Sequence, residues 1–221
     1  MKAIIFDFHA TLAYKEQSVT IEDIMEVLHE AGVDIGPQEW EAAYRYVFFV
    51  DFPRERFRSW NEYQARVLEL LGIMASDELV QELCRIHNEK NRWRLFPEVP
   101  EVLESLSRDF NLGIATTIPS FQVLPILGEL ESHFGFIGTG DTVGKAKGNR
   151  SFYLTIAEEL CAEPDGSLFV GDDPLLDVEI PHSLGFHTAH LMRKGGSRCE
   201  AADFQITSLR ELGSIVRHFG V

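Results

Sequence analysis

Hydrophobic residues recur with two different periods in this chain, and the change of period divides it. Ala3-Ile-Ile-Phe-Asp7-Phe opens on an unbroken apolar run, which predicts a strand buried in a parallel sheet. From about residue 20 to 93 the spacing is helical. Ile21, Ile24, Met25, Leu28 and Ala31 share one face, with Thr20 and Asp23 at capping-box spacing and Gly32 as the stop. A second helix opens on Pro37, carries Trp40, Ala43, Tyr44, Val47 and Phe48, and ends before Pro53. A third starts at Ser59 and Glu62, again at capping-box spacing, and stops at Gly72; a fourth follows Ser76 with Leu79, Leu83 and Ile86 inward. Four amphipathic helices with short links predict a small bundle.

Beyond Phe96-Pro97 strands and helices alternate. The pattern predicts helices over 99–106, near 121–132 and over 151–160, with a terminal helix near Ser208. Strands are expected over 112–117, around 136–137 and over 167–171, 186–192 and 204–206. Such alternation implies an α/β fold with a parallel sheet. Because its first strand precedes the helical block, residues 1–14 and 95–221 are expected to form the sheet domain, with 15–94 an inserted helical domain.

A chain of 221 residues is long enough to bury a sizeable core. Its 20 Lys and Arg against 35 Asp and Glu give a formal charge of −15. So acidic a chain is a poor partner for nucleic acid or an anionic membrane. An anionic substrate then needs a local cluster of positive charge or a divalent cation. No apolar stretch approaches the ~20 residues of a membrane span, and the apolar start ends at once in Asp7 and His9, unlike a signal peptide. Cys84, Cys161 and Cys199 form no CxxC pattern. They read as reduced thiols, and a cytoplasmic setting is expected.

The polar residues of the strand ends carry the chemistry. A carboxylate closing an apolar strand is costly unless a cation or a reaction uses its charge, and ligands of open α/β sheets bind outside those ends. Asp7 meets this description, as do Thr116, Lys147 and the group Asp172, Asp173 and Asp177. Singly, Asp-Asp-Pro is ordinary turn chemistry, Lys147 a solvated loop lysine and Thr116 a strand threonine. Jointly they fall at the ends of successive strands or in the loops that follow. Asp7 and Asp172 suit a shared Mg²⁺, a hard cation that takes few protein oxygens; this requires them within about 8 Å of each other, given Mg–oxygen distances of roughly 2.1 Å. The cation and Lys147 would neutralise a phosphate, Thr116 would donate to a phosphoryl oxygen, and Asp7 would attack phosphorus.

Four segments, Asp7-Phe-His-Ala-Thr-Leu12, Ile114-Ala-Thr-Thr117, Lys147-Gly-Asn-Arg-Ser-Phe-Tyr153 and Val170-Gly-Asp-Asp-Pro-Leu-Leu-Asp177, resemble the four motifs of the haloacid dehalogenase-like hydrolases, in order and across nearly the whole chain. The resemblance implies a Rossmann-like core with a helical cap of the C1 type. Leu95-Phe-Pro-Glu-Val-Pro-Glu-Val-Leu103 resembles the family's re-entry from cap to core. It also implies Asp7 as nucleophile, Thr116, Thr117 and Lys147 as phosphate contacts, and Mg²⁺ held by Asp7, Asp172 and the backbone carbonyl of His9, supported by Asp177.

The chain departs from its apparent relatives twice. His9 stands where phosphatases of the family usually carry a second, acid–base Asp, and Gly148-Asn149-Arg150 replaces the usual Pro-Asp-Pro after the lysine. The register into Ser151-Phe-Tyr favours Lys147 over Lys145 as the motif's lysine. Histidine, with an unperturbed pKa of ~6.5, is able to serve as acid and base; the alternative is that His9 only fills the position. Three functions follow. The leading one is a Mg²⁺-dependent phosphatase of a small phosphorylated metabolite; the others are a phosphate-binding or regulatory protein with little turnover and a metal-independent dehalogenase. Arg54, Arg56 and Arg58 read either as a solvated basic link or as the source of a cation for a second anionic group on the substrate. Tyr14 and Lys15 stand where the two domains join, at an entrance or a hinge.

Overall fold

A computed structural model describes residues 2–193, 195 and 198–218. The chain forms two compact units, Met1–Tyr14 with Leu95–Val221, and Lys15–Arg94. β1 (Ala3–Phe6) is wholly buried, as its apolar run requires. β2 (Ala13–Gln17) leads out of the first unit and β3 (Arg92–Leu95) leads back, and the two strands pair with each other. The hydrophobic pattern does not show this ribbon, because Lys15, Glu16, Gln17, Arg92 and Arg94 dominate it. Backbone pairing defines it, and the Arg94–Glu16 ion pair at 2.9 Å crosses it.

In the second unit α1 (Ile21–Glu30) starts from the expected capping box, with Thr20 Oγ1 accepting from Asp23 N at 3.3 Å and Asp23 Oδ2 from Thr20 N at 2.9 Å. α2 (Pro37–Tyr46) runs on into a wider π turn over Val47–Asp51, closed by Phe52 N donating to Val47 O at 2.7 Å. α3 (Trp60–Leu70) is capped by Ser59, and α4 (Asp77–Lys90) by Ser76. Only half of the expected box forms at Ser59, since Glu62 Oε2 accepts from Arg58 N instead of returning to Ser59 N. Ile24, Leu28, Trp40, Val47, Tyr63, Val67 and Leu83 are buried, so the predicted apolar faces form this unit's interior.

α5 (Val99–Leu106) and β4 (Asn111–Ala115) resume the first unit. The helix expected near 121–132 is shorter: α6 (Ser120–Leu127) stops at Gly128, whose φ of 54° cannot continue an α-helix, and a 3₁₀ segment follows. β5 (Phe134–Gly138), the short α7 (Gly140–Val143), α8 (Arg150–Glu159) and β6 (Ser167–Gly171) come next. A π turn over Pro174–Glu179 passes into α9 (Ile180–Ser183), followed by β7 (His187–Leu191), β8 (Phe204–Ile206) and α10 (Leu212–His218).

The described residues place six strands in one sheet, ordered β5-β4-β1-β6-β7-β8 and parallel at every pairing. Counted along the chain this is the Rossmann-type order 3-2-1-4-5-6, with helices around the sheet. The winding reverses at β1, so the connections diverge at its carboxyl end and leave a crevice there. Phe6, Ile4, Ile5 and Phe169 are fully buried beneath it, each worth roughly 1.5–3 kcal/mol of transfer free energy. The crevice therefore rests on rigid strands.

Candidate active site

Register brings the strand ends level. Phe6 lies opposite Val170 on β6 and opposite Ile114 on β4. Asp7 and Asp172 each follow directly on neighbouring strands, and Thr116 directly follows β4. Asp7 N donates to Val170 O at 2.8 Å, which carries the pairing one residue beyond β1. Asp177 comes from the π turn after β6, where Asp173 caps the turn through Leu175 N and Leu176 N. Asp173 is thus a turn residue. Its own N–H donates to Asp177 Oδ2 at 2.9 Å and so directs that carboxylate inward.

Lys147 projects from the loop before α8 into these acids. Its Nζ lies 2.6 Å from Asp7 Oδ1 and 2.7 Å from Asp177 Oδ1, with a side chain only 2% exposed. Gly148 turns the chain immediately afterwards at a φ of 105°, a conformation closed to the proline that the resembling motif carries there. Tyr153 Oη donates to Leu176 O at 2.8 Å, tying α8 to the turn that bears Asp177. Lys145 is exposed.

Burial raises the pKa of Asp7, against the opposing pull of Lys147. Burial likewise raises that of Asp172, with Asp177 adding to the effect and His9 opposing it. Asp177 is pushed up to about 7 by burial, which the charge of Lys147 only partly offsets. Burial works against the Lys147 ammonium, but Asp177 and Asp7 outweigh it and hold its pKa above the ordinary lysine value. When all three ionise, the carboxylates around this one ammonium leave two negative charges uncompensated, which is why burial resists their ionisation.

That imbalance suits a divalent cation. Asp7, Asp172 and Asp177 each offer an oxygen, and the three lie within 4.8 Å of one another. Neighbouring and opposite oxygens on an octahedral Mg²⁺ are separated by roughly 3–4 Å, so hard oxygens so grouped fit such an ion. Asp177 Oδ1 is buried and, beyond its ion pair to Lys147, accepts no hydrogen bond among the described residues. Thr116 is 1% exposed; its Oγ1 accepts from Ile118 N at 3.1 Å, which leaves the hydroxyl proton for donation. Thr117 is half-buried beside it, and the His9 side chain is exposed. Arg54, Arg56 and Arg58 are exposed in the other unit.

A family model described as a haloacid dehalogenase-like hydrolase matches residues 1–185. The chain belongs to the haloacid dehalogenase-like hydrolases. Over 163 residues this hydrolase is 28% identical to a phosphorylated carbohydrates phosphatase of Thermotoga maritima, a match covering 68% of this chain and 74% of that protein. A HAD phosphatase from Thermococcus onnurineus has a similar structure, with a TM-score of 0.66, 24% identity and 98% of each chain covered. A 2-haloacid dehalogenase from Pseudomonas syringae pv. Tomato superposes with a TM-score of 0.74 at 21% identity, covering 100% of both chains. Structural likeness at these identities speaks for the fold, which phosphatases and dehalogenases share.

Gly171 escaped the motif reading. An added Cβ there would fall 2.6 Å from Asp177 Cβ and nearer still to its carboxylate. Only a residue without a side chain lets Asp177 lie back across the end of β6. The signal was present in Gly171-Asp-Asp, but its reason depends on a side chain six residues on.

Proposed function

We propose that this hydrolase is a Mg²⁺-dependent phosphatase of a small phosphorylated metabolite, working through an aspartyl-phosphate on Asp7. The observation that carries the reading is the buried group of Asp7, Lys147 and Asp177 beside Asp172, at the switch point of the sheet, with three carboxyl groups sharing one ammonium. Mg²⁺ held by Asp7, Asp172 and the carbonyl of His9, and supported by Asp177, supplies charge neutralisation and polarisation of the phosphoryl oxygens. Asp7 forms a bond to phosphorus as the ester P–O bond breaks, and the departing alkoxide takes a proton from His9. Water then attacks the aspartyl-phosphate and returns a proton to His9, releasing inorganic phosphate and free Asp7. Lys147, Thr116 and Thr117 hold the phosphoryl group throughout.

The Thermotoga phosphatase acts, by its name, on phosphorylated carbohydrates, which supports a small phosphorylated substrate here. Residues 15–94 serve as the cap that selects it. The described cysteines are all free, which supports a reducing, cytoplasmic setting. No helix among the described residues is long and apolar enough to cross a membrane.

The test is a panel of sugar phosphates, nucleotides and phosphoglycolate-like acids, assayed with and without Mg²⁺. Hydrolysis of at least one ester is expected, abolished by EDTA and restored by added Mg²⁺. Metal-independent turnover of 2-haloacids would replace this reading with the dehalogenase. Phosphate binding without turnover would replace it with the regulatory protein.

A further inference from the structure

We propose that Arg193 is a positioning residue for Asp7: its guanidinium locks the loop that follows Asp7 onto the segment by which the chain re-enters the core. Two residues beyond β7, Arg193 is 182 residues from one of its partners. Nη2 donates to the carbonyl of Thr11 at 2.8 Å, while Nη1 pairs with Glu98 Oε1 at 2.5 Å. The guanidinium carbon lies 3.5 Å from the centre of the Phe96 ring. Arg193 is 14% exposed at its side chain and Glu98 7%, so the pair is largely removed from water.

These contacts join the loop after Asp7 to the re-entry segment, where β2 and β3 already pair. Residues 8–13 form a compact loop in which Leu12 N and Ala13 N donate to Phe8 O at 2.9 and 2.8 Å, and Ala10 N donates to Ala13 O at 2.6 Å. Ala10 sits at a φ of 63°, a left-handed conformation costing of order 1–3 kcal/mol that persists only where its surroundings over-determine it. Those surroundings lie across the chain break made by the inserted unit. Leu12 O accepts from Phe96 N at 3.0 Å, and Phe96 also meets the Tyr14 ring at 4.9 Å. Arg193 adds the Thr11 carbonyl, the Phe96 face and the Glu98 carboxylate. The loop it secures carries Asp7 at one end and the carbonyl of His9 in its middle. A displacement of about 1 Å at such a group is enough to slow chemistry by about 10²-fold. Lysine has no equivalent of this arrangement, because one ammonium cannot present two divergent donors and a stacking plane together.

The inference rests on the proposed phosphatase reading for its kinetic consequence, but not for its structural one, and the experiment separates the two. Hydrogen–deuterium exchange is compared in the parent, Arg193→Ala and Arg193→Lys by peptide mass spectrometry. Peptides spanning residues 8–13 and 95–98 are expected to exchange about tenfold faster in Arg193→Ala, with the β6 peptide unchanged. Free guanidinium at non-denaturing concentration should restore protection to Arg193→Ala. In the same proteins, kcat on an aryl phosphate should fall by about 10–100-fold in both variants with KM within about threefold. Guanidinium should recover part of the loss only in Arg193→Ala. Unchanged exchange over 8–13, or a uniform loss of protection that includes β6, would overturn the inference. So would kcat within twofold of the parent while the parent is active. A parent inactive on every ester refutes the phosphatase reading instead, and the exchange arm still decides the role of Arg193.

Discussion

At the scale of single residues, the proposed mechanism divides the chemistry between Asp7 and His9. Asp7 is 7% exposed and held by Lys147, whereas the His9 side chain is exposed two positions later. Asp7→Asn keeps the shape but replaces the proposed nucleophile with an amide. We expect turnover of an aryl phosphate to disappear while the unfolding midpoint moves little, read by phosphate release and thermal melting of the same preparation. His9 is tested by leaving group. An alkoxide needs its proton in the transition state and an aryl oxide hardly does, so His9→Ala should cost about 10²–10⁴-fold on an alkyl phosphate and spare an aryl phosphate. Equal activity of parent and variant on both esters would leave His9 with no catalytic part.

At the scale of elements, the end of β6 is where spacing becomes geometry. Its register against β1 sets Asp172 beside Asp7, and the π turn that follows returns Asp177 over Gly171. Gly171→Ala forces a methyl into the Asp177 side chain. Overpacking of this kind costs about 1–3 kcal/mol, which urea unfolding should show. Displacing Asp177 also disturbs its ion pair with Lys147, so turnover should fall together with stability. A variant with parental stability and turnover would mean that the turn relaxes without moving the carboxylate. Three of the motifs were legible because each pairs an apolar strand with a polar residue just beyond it, and the lysine motif because it runs into the apolar face of α8. The β2–β3 ribbon was not, because its charged residues carry no strand periodicity and find their partners, such as Arg94 with Glu16, only across the ribbon.

At the scale of the whole molecule, the site links stability to pH and, on the proposed reading, to cation. Asp177 has a folded pKa of about 7 against an unfolded value near 3.8, and Asp7 and Asp172 are also raised. A raised carboxyl pKa means that the folded state binds more protons. The associated stability is full below the unfolded pKa and declines as pH rises through the folded one. Without divalent cation, the contribution of these acids should therefore fall between about pH 4 and pH 7. If, as proposed, Mg²⁺ takes the ionised carboxylates, the rise in Tm that it produces should be larger at pH 8 than at pH 5. Scanning calorimetry with Mg²⁺ and with EDTA at both pH values measures this. An equal rise at both would count against a cation held by Asp7, Asp172 and Asp177.

By itself the sequence determined what depends on local order. Apolar runs and capping residues specified most strands and helices, and a carboxylate at the end of a buried strand marked Asp7 as the candidate for chemistry. Four motifs in sequence were enough to identify the family. Tertiary structure alone decided what depends on groups distant in the chain meeting in one place. It placed the Lys147 ammonium between Asp7 and Asp177, and it explained Gly171 through the space that Asp177 occupies. It also brought Arg193 to Thr11 and Glu98. No periodicity records such meetings, because electrostatic and steric complementarity act through space between residues whose separation along the chain carries no pattern.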